Sequence, residues 1–334
     1  MTTEVNEGGW YRLKTLNLKT MKTHRFLTIL LILVVALNSC KEEEKQDRPN
    51  ILFIMSDDHA YQAISAYGHG LNKTPNIDRL ANEGVCFQNS FVTNSICAPS
   101  RAVMLTGTYN HINGHINNSV EFDSTLSTFP KIMQQNGYQT ALFGKWHLKS
   151  NPQGFDYWNI LPGQGHYYNP DFIEMGQKSK REGYVTDLIT DDCLNWLNNR
   201  NKKEPFCVLL HHKAPHRNWM PSQEHLAMYV NDTFPLPASF YDDYDTRSDA
   251  SKLAEMRITD HSFVDADLKY MTNKYEKSGL FSPESWKASY NRLNESEKIR
   301  WDSVYLKISS DFEDQMPVGK ELAEWKYQRY IQDY

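Results

Sequence analysis

An α/β fold with a mostly parallel sheet flanked by helices is what this sequence predicts, and three observations predict it. From Pro49 onward short apolar runs alternate with helical patterns, as in a sheet whose strands are joined by crossover helices. The clearest runs, residues 50–55, 140–144 and 206–211, are too short for core helices and read as buried strands. Helices are expected over 76–82, 100–106, 129–136 and 186–197, each apolar on one face and several ended by Gly or Asn.

Composition narrows the class. A chain of 334 residues, 40% hydrophobic and 23% charged, has enough apolar material for one large domain or two small ones, so disorder is not expected. The net charge of -5 comes without a run of Lys or Arg in the body of the chain, so nucleic acid is not an expected partner. Between 218 and 252 the chain turns polar, with Pro235, Pro237 and Tyr241-Asp242-Asp243-Tyr244, and reads as a long excursion from the sheet.

The amino-terminal segment has the layout of an export signal. Lys22, His24 and Arg25 follow Met21 and precede an apolar stretch from Phe26 to Leu37. About a dozen residues fall short of the ~20 that a spanning helix needs. Leu37-Asn38-Ser39-Cys40 resembles the lipobox at which bacterial lipoproteins are cut and acylated. Residues 21–40 are therefore expected to be a lipoprotein signal ending at Cys40, with 41–48 a charged tether and 1–20 an over-called start. The lipid would hold the exported protein to the outer membrane, facing the periplasm or the cell surface. Of the other cysteines, Cys86, Cys193 and Cys207 form an odd set that is not a complete disulfide framework. Cys193 and Cys207 have apolar neighbours and suit core packing.

In open parallel sheets ligands bind at the carboxyl ends of strands, and each apolar run here ends in reactive side chains. The first leads into Ser56-Asp57-Asp58-His59. Paired carboxylates are hard oxygen ligands for calcium or magnesium, although an Asp at this place more often caps the next helix. The second ends in Gly144-Lys145-Trp146-His147, where alternation would put Lys145 and His147 on one face, a fixed charge beside a proton-transfer group. Two exposed polar residues flanking a buried Trp146 are the plainer reading. The third gives His211-His212-Lys213-Ala214-Pro215-His216, whose three histidines raise zinc without the spacing typical of a zinc site.

Cys97-Ala98-Pro99-Ser100-Arg101 precedes Val103-Met104-Leu105, and Pro99 is tolerated in a first helical turn. Cys97 is thus delivered to a helix N-terminus, where free N–H groups and Arg101 on the same face favour an oxyanion. A thiolate nucleophile is the competing chemistry, and it needs a base that the local sequence does not identify.

Cys97-Ala98-Pro99-Ser100-Arg101 followed by Leu105-Thr106-Gly107 resembles the signature of type I sulfatases, Cys-x-Pro-x-Arg and then Leu-Thr-Gly. The resemblance extends through Asp57-Asp58, through Thr74-Pro75-Asn76-Ile77-Asp78-Arg79-Leu80, through Gly144-Lys145-Trp146-His147 and through Ala214-Pro215-His216. It implies an alkaline-phosphatase-like fold and a sulfatase that hydrolyses sulfate esters. It also implies oxidation of Cys97 to formylglycine by a sulfatase-maturing enzyme, and one calcium held by Asp57, Asp58 and the modified Cys97. Arg101 and Lys145 would bind sulfuryl oxygens, His147 would take the proton that releases sulfate, and His216 would assist the departing alcohol. Leu161 to Pro170 and Arg217-Asn218-Trp219 are similar to segments of carbohydrate sulfatases of the N-acetylglucosamine-6-sulfatase kind, which implies a sulfated carbohydrate as substrate.

Type I sulfatases continue past this length to a later strand that brings a further Asp, an amide or imidazole, and a Lys. Residues 49–334 are therefore expected to be the amino-terminal part of a catalytic domain whose sheet is incomplete at its carboxyl-terminal side, with impaired activity and a bare sheet edge. A phosphoesterase of the same superfamily, with Ser or Thr as nucleophile, is the nearest alternative. A surface lipoprotein that binds sulfated glycans without turnover is another.

Overall fold

The computed structural model describes residues 48–254, 256–272 and 286–334. The export signal, Cys40 and all of the charged tether but Arg48 lie outside the described residues. Among the described residues six strands form one sheet: β1 (Ile51–Met55), β2 (Gln139–Lys145), β3 (Tyr157–Leu161), β4 (Asp171–Glu174), β5 (Gln177–Lys180) and β6 (Phe206–His211), in the order β1-β6-β2-β3-β4-β5. The first four in that order are parallel, and β4 and β5 add an antiparallel hairpin beside β3.

The three strands expected from apolar runs are β1, β2 and β6. Successive residues of a strand face opposite sides of a sheet, so both faces here need cover. Ala141, Phe143, Val208 and Leu210 pack on one side with Val185, Ile189 and Cys193 of helix α4 (Val185–Asn199) and with Trp301 and Tyr305 of α5 (Glu295–Gln315). Leu142, Cys207 and Leu209 pack on the other side with Ala98, Ala102 and Leu105 of α2 (Cys97–Thr106). Cys193 and Cys207 are buried free thiols, as their neighbours implied, and Cys86 is also free. Helices α1 (Pro75–Glu83) and α3 (Phe129–Gln135) both begin with Pro in the first turn, where no intrahelical N–H is lost. Helix α6 (Gly319–Asp333) ends the chain.

The register sets the three strand ends level. Met55 lies opposite His211, and His211 lies opposite Gly144. Gly144 has φ +92°, and a Cβ there would stand 2.0 Å from the His211 carbonyl oxygen. Only glycine permits that approach, which holds Lys145 beside the end of β6.

Residues 218–248 carry no helix or strand and lie partly against α6: the Phe234 N–H donates to Gln328 Oε1 at 2.8 Å, and the Tyr327 hydroxyl to the Pro235 carbonyl at 3.1 Å. Among the described residues β1 has β6 as its one neighbour, and its Leu52 and Ile54 are 46% and 53% exposed. Helix α1 buries none of its residues and leaves Ile77 and Leu80 exposed nearby in sequence. No helix of the described residues is long and apolar enough to cross a membrane.

Candidate active site

Asp57 follows β1 and is buried, as are Arg101 in α2 and Lys145 at the end of β2. The Lys145 ammonium forms a close ion pair with Asp57 Oδ2 and lies 3.9 Å from Cys97 Sγ. Arg101 Nη2 stands 3.5 Å from Asp57 Oδ1, and Arg101 Nη1 donates to the Lys145 carbonyl at 2.6 Å. Two cations from separate elements therefore converge on one carboxylate beside the Cys97 sulfur. Burial pushes the Asp57 carboxyl up, but Lys145 and Arg101 together outweigh it and hold it below its usual range.

Asp58, next in the chain, adopts a left-handed conformation with φ +59° and is exposed. Its carboxylate comes 3.6 Å from His216 Nε2. The Tyr334 hydroxyl braces this turn, donating to the Asp58 carbonyl at 2.8 Å and accepting from the Ala60 N–H at 2.5 Å. Asp57, Cys97 and His216 offer ligand atoms within 4.8 Å of one another, a possible metal-binding group. Asp57 is that group's hard oxygen donor, and the neighbouring Asp58, expected as a ligand, lies outside it beside His216. These carboxylates suit calcium in kind but fall short of its usual six to eight in number.

Cys97, expected in a loop before a helix starting at Ser100, is itself the first residue of α2, and the helix N-terminus offers less to an anion than the sequence implied. The Ala98 N–H is taken by Asn118 Oδ1 at 3.1 Å, Pro99 has no N–H, and the Ser100 N–H bonds to the Ile96 carbonyl. Positive charge at this place comes chiefly from Arg101 and Lys145. Burial pushes the Cys97 thiol above its ordinary range despite Lys145, so an activated thiolate does not fit the site.

His147 follows β2 in a left-handed conformation, φ +58°, so strand alternation does not extend to it. Trp146, expected to be buried between the two polar residues, is buried; Lys145 is buried as well. Burial, with Lys145 and Arg101 adding to it, lowers His147 to about 4, and its buried Nδ1 has no hydrogen-bond partner. His216 is also lowered, first by burial, and its carbonyl accepts from the Tyr167 hydroxyl at 2.5 Å. Both imidazoles are therefore neutral at pH 7 and can exchange protons.

The three histidines at and just after the end of β6 do not gather as a zinc site. His211 is fully buried and turns toward α2, its Nδ1 3.3 Å from Arg101 Nη1, while His216 faces Asp58. Sequence reasoning did not foresee the contact of His211 with Arg101, the Asn118 cap or the Tyr334 brace. Each joins segments far apart in the chain, and no local pattern marks them.

A model of the Sulfatase family matches residues 49–278. This chain belongs to the sulfatase family. It is 43% identical over 342 residues to the N-acetylglucosamine-6-O-sulfatase of Bacteroides thetaiotaomicron, covering 100% of this chain and 60% of that protein. An ulvan-active sulfatase of Formosa agariphila is 30% identical over 253 residues, 69% of this chain and 49% of its own length. Among solved structures, BT4656 in complex with its substrate D-glucosamine-2-N,6-O-disulfate matches with a TM-score of 0.80 and 46% identity, over 86% of this chain and 58% of that one. Ps i-CgsB in complex with k-i-k-neocarrahexaose matches with a TM-score of 0.53 and 29% identity, over 56% and 49%. The sheet flanked by helices is the alkaline-phosphatase-like fold of the sulfatases. The chain spans about three-fifths or less of these relatives' lengths.

Proposed function

We propose that this chain carries the catalytic centre of an exported carbohydrate sulfatase that hydrolyses a 6-O-sulfate ester on a glucosamine-type sugar. The observation that carries the reading is the placement of Cys97 Sγ beside Lys145, with Arg101 and Asp57 behind it. The substrate class rests on likeness to the N-acetylglucosamine-6-O-sulfatase.

In this reading Cys97 is oxidised to formylglycine, whose hydrate carries two hydroxyls. One attacks sulfur and passes its proton to the neutral His216 imidazole, the S–O bond to the sugar breaks, and His216 returns that proton to the departing alcohol. Arg101 and Lys145 offset the charge on the sulfuryl oxygens. His147 then takes the proton of the second hydroxyl, sulfate is expelled and the aldehyde returns. Calcium held by Asp57, Asp58 and the hydrate would polarise the sulfate when bound. The raised thiol of Cys97 speaks against direct thiolate attack. A cysteine at the attacking position supports a sulfatase over a phosphoesterase. Cys40 is the proposed lipid attachment point, holding the exported protein at the outer membrane.

The test is mass spectrometry of the Cys97 peptide from a host with a sulfatase-maturing enzyme, paired with a desulfation assay on N-acetylglucosamine 6-O-sulfate. Conversion with sulfate release is expected, and Cys97→Ala should lose all turnover. An unmodified thiol would remove the mechanism. Tight sugar binding by converted protein without sulfate release would leave a glycan-binding lipoprotein.

A further inference from the structure

His211 closes β6, and the mechanism gives it no part. Strand alternation carries it, after Cys207 and Leu209, onto the face of the sheet that α2 covers. In α2, Arg101 stands three residues after Ala98 and four before Leu105, both packed on that face, so its side chain enters the same buried seam. The two meet there: His211 is 1% exposed and Arg101 3%, and His211 Nδ1 lies 3.3 Å from Arg101 Nη1. Phe53 of β1 packs against the imidazole in a T-shaped contact, ring centroids 5.9 Å apart, and limits its rotation.

The two ends of the guanidinium face different groups. Nη1 donates to the Lys145 carbonyl at 2.6 Å, and its second N–H has His211 Nδ1 within reach. Nη2 serves the catalytic side, 3.5 Å from Asp57 Oδ1, beside which Lys145 and the Cys97 sulfur also lie. Arginine has donors only, so a hydrogen bond between the two side chains requires the lone pair on Nδ1 and the proton on Nε2. The other tautomer would donate from Nδ1 to the Lys145 carbonyl, also at 3.3 Å, an oxygen that already accepts from Arg101. It would leave a charged N–H of Arg101 without His211 as acceptor. The first tautomer leaves a neutral Nε2–H, buried without a partner among the described residues. Unpaired charged donors cost more than neutral ones. Burial, with Arg101 adding to it, keeps the ring well below its ordinary range and neutral, so the lone pair is available.

We infer that His211 is a positioning residue: by accepting from Nη1 it fixes the orientation of the Arg101 guanidinium and holds Nη2 toward an oxyanion bound at Cys97. The inference rests on the sulfatase reading of the centre and adds to it a residue that does not touch the substrate. Without this second acceptor Nη1 keeps one bond, to the Lys145 carbonyl, and the planar group can pivot about it. Stabilisation of an oxyanion depends on donors already aimed where its charge develops. A misplacement of about 1 Å can cost on the order of 100-fold in rate.

Imidazole nitrogen NMR of the full chain, labelled in its histidine nitrogens, reads the contact directly, with His211 assigned by the signal that His211→Asn lacks. An unprotonated Nδ1 and a protonated Nε2 are expected at neutral pH. Kinetics of converted protein on N-acetylglucosamine 6-O-sulfate reads the consequence. His211→Leu should lower kcat by up to about 100-fold with KM changed less than about threefold. Asn carries its amide oxygen as many bonds from Cβ as Nδ1 is, whereas Gln carries its own one bond further, as Nε2 is. His211→Asn should therefore regain most of the loss and His211→Gln little, an order that lost packing alone does not produce. A protonated Nδ1 in the parent, parental turnover in His211→Leu, or equal rescue by Asn and Gln would overturn the inference. A converted parent that releases no sulfate would sink the sulfatase reading, and the nitrogen spectrum would still decide the contact with Arg101.

Discussion

Replacing Lys145 by Met is the most informative single perturbation, because it removes a buried charge while keeping the volume. Lys145 is 0% exposed and is paired with the buried Asp57, so the variant leaves that carboxylate with Arg101 Nη2 at 3.5 Å as its remaining partner. Breaking a buried ion pair costs about 3–5 kcal/mol. At an effective dielectric of about 20 a unit pair near 3.5 Å still interacts by roughly 5 kcal/mol, so Arg101 retains much of the compensation. The lower end, about 3 kcal/mol, is therefore expected. The pH dependence has a definite sign. Asp57 is held below its unfolded value, so the stabilisation is present above the ordinary carboxylate range and is lost as pH falls through the folded pKa. Urea unfolding of parent and variant from pH 7 down to pH 3 should show a deficit that is constant near neutrality and shrinks below about pH 4. A double-mutant cycle with Asp57→Asn should give a coupling of about 2–3 kcal/mol. A loss under about 1 kcal/mol, or a deficit unchanged at pH 3, would show that Lys145 contributes packing and not charge.

Gly144→Ala should destabilise the fold by more than about 3 kcal/mol, since the new methyl collides with the His211 carbonyl and the residue has a strained positive φ; a midpoint within error of the parent would refute the close approach. With His147 lowered to about 4, its neutral form persists down to that pH, and the acidic limb of kcat should fall near 4 and not near 6.5. A limb centred at 6.5 that vanishes in His147→Ala would show a solvated imidazole. Its share of stability is present above pH 6.5 and is lost as pH falls from there toward 4. If Cys40 is the proposed lipid attachment point, Cys40→Ser should move the protein from membranes to the soluble fraction, read by fractionation with a labelled lipid precursor, and unchanged retention would mean that another segment anchors it.

The parts of the fold that were legible are those whose cause is local. Continuous apolar runs mark β1, β2 and β6, because central parallel strands are buried on both faces and need no polar alternation. β3 was missed although its Trp158, Ile160 and Leu161 are buried, since Asn159 interrupts the run and donates to Asp192 of α4. The β4–β5 hairpin is polar on its outer strand and carries little pattern. Helix α5 was also missed, yet its start is written in Asn294-Glu295-Ser296-Glu297: the Asn294 side chain accepts from the Glu297 N–H, and Glu297 reaches back to the Asn294 N–H. That capping box is a sequence-level signal, whereas the aromatic stack of Trp301 on Tyr305 at 4.3 Å is not.

The same division holds in the site. Asp57, Cys97, Arg101 and Lys145 could be named from motifs, but what each does depends on strand register, which no motif carries. Met55, His211 and Gly144 lie level because β1 and β2 both pair with β6. That register turns three separate strand-end motifs into one cluster. Removing the glycine that lets β2 approach β6 would displace Lys145 relative to Asp57 without altering any charged residue. Position, set by the backbone, is thus as much a part of this active centre as the side chains that the sequence displays.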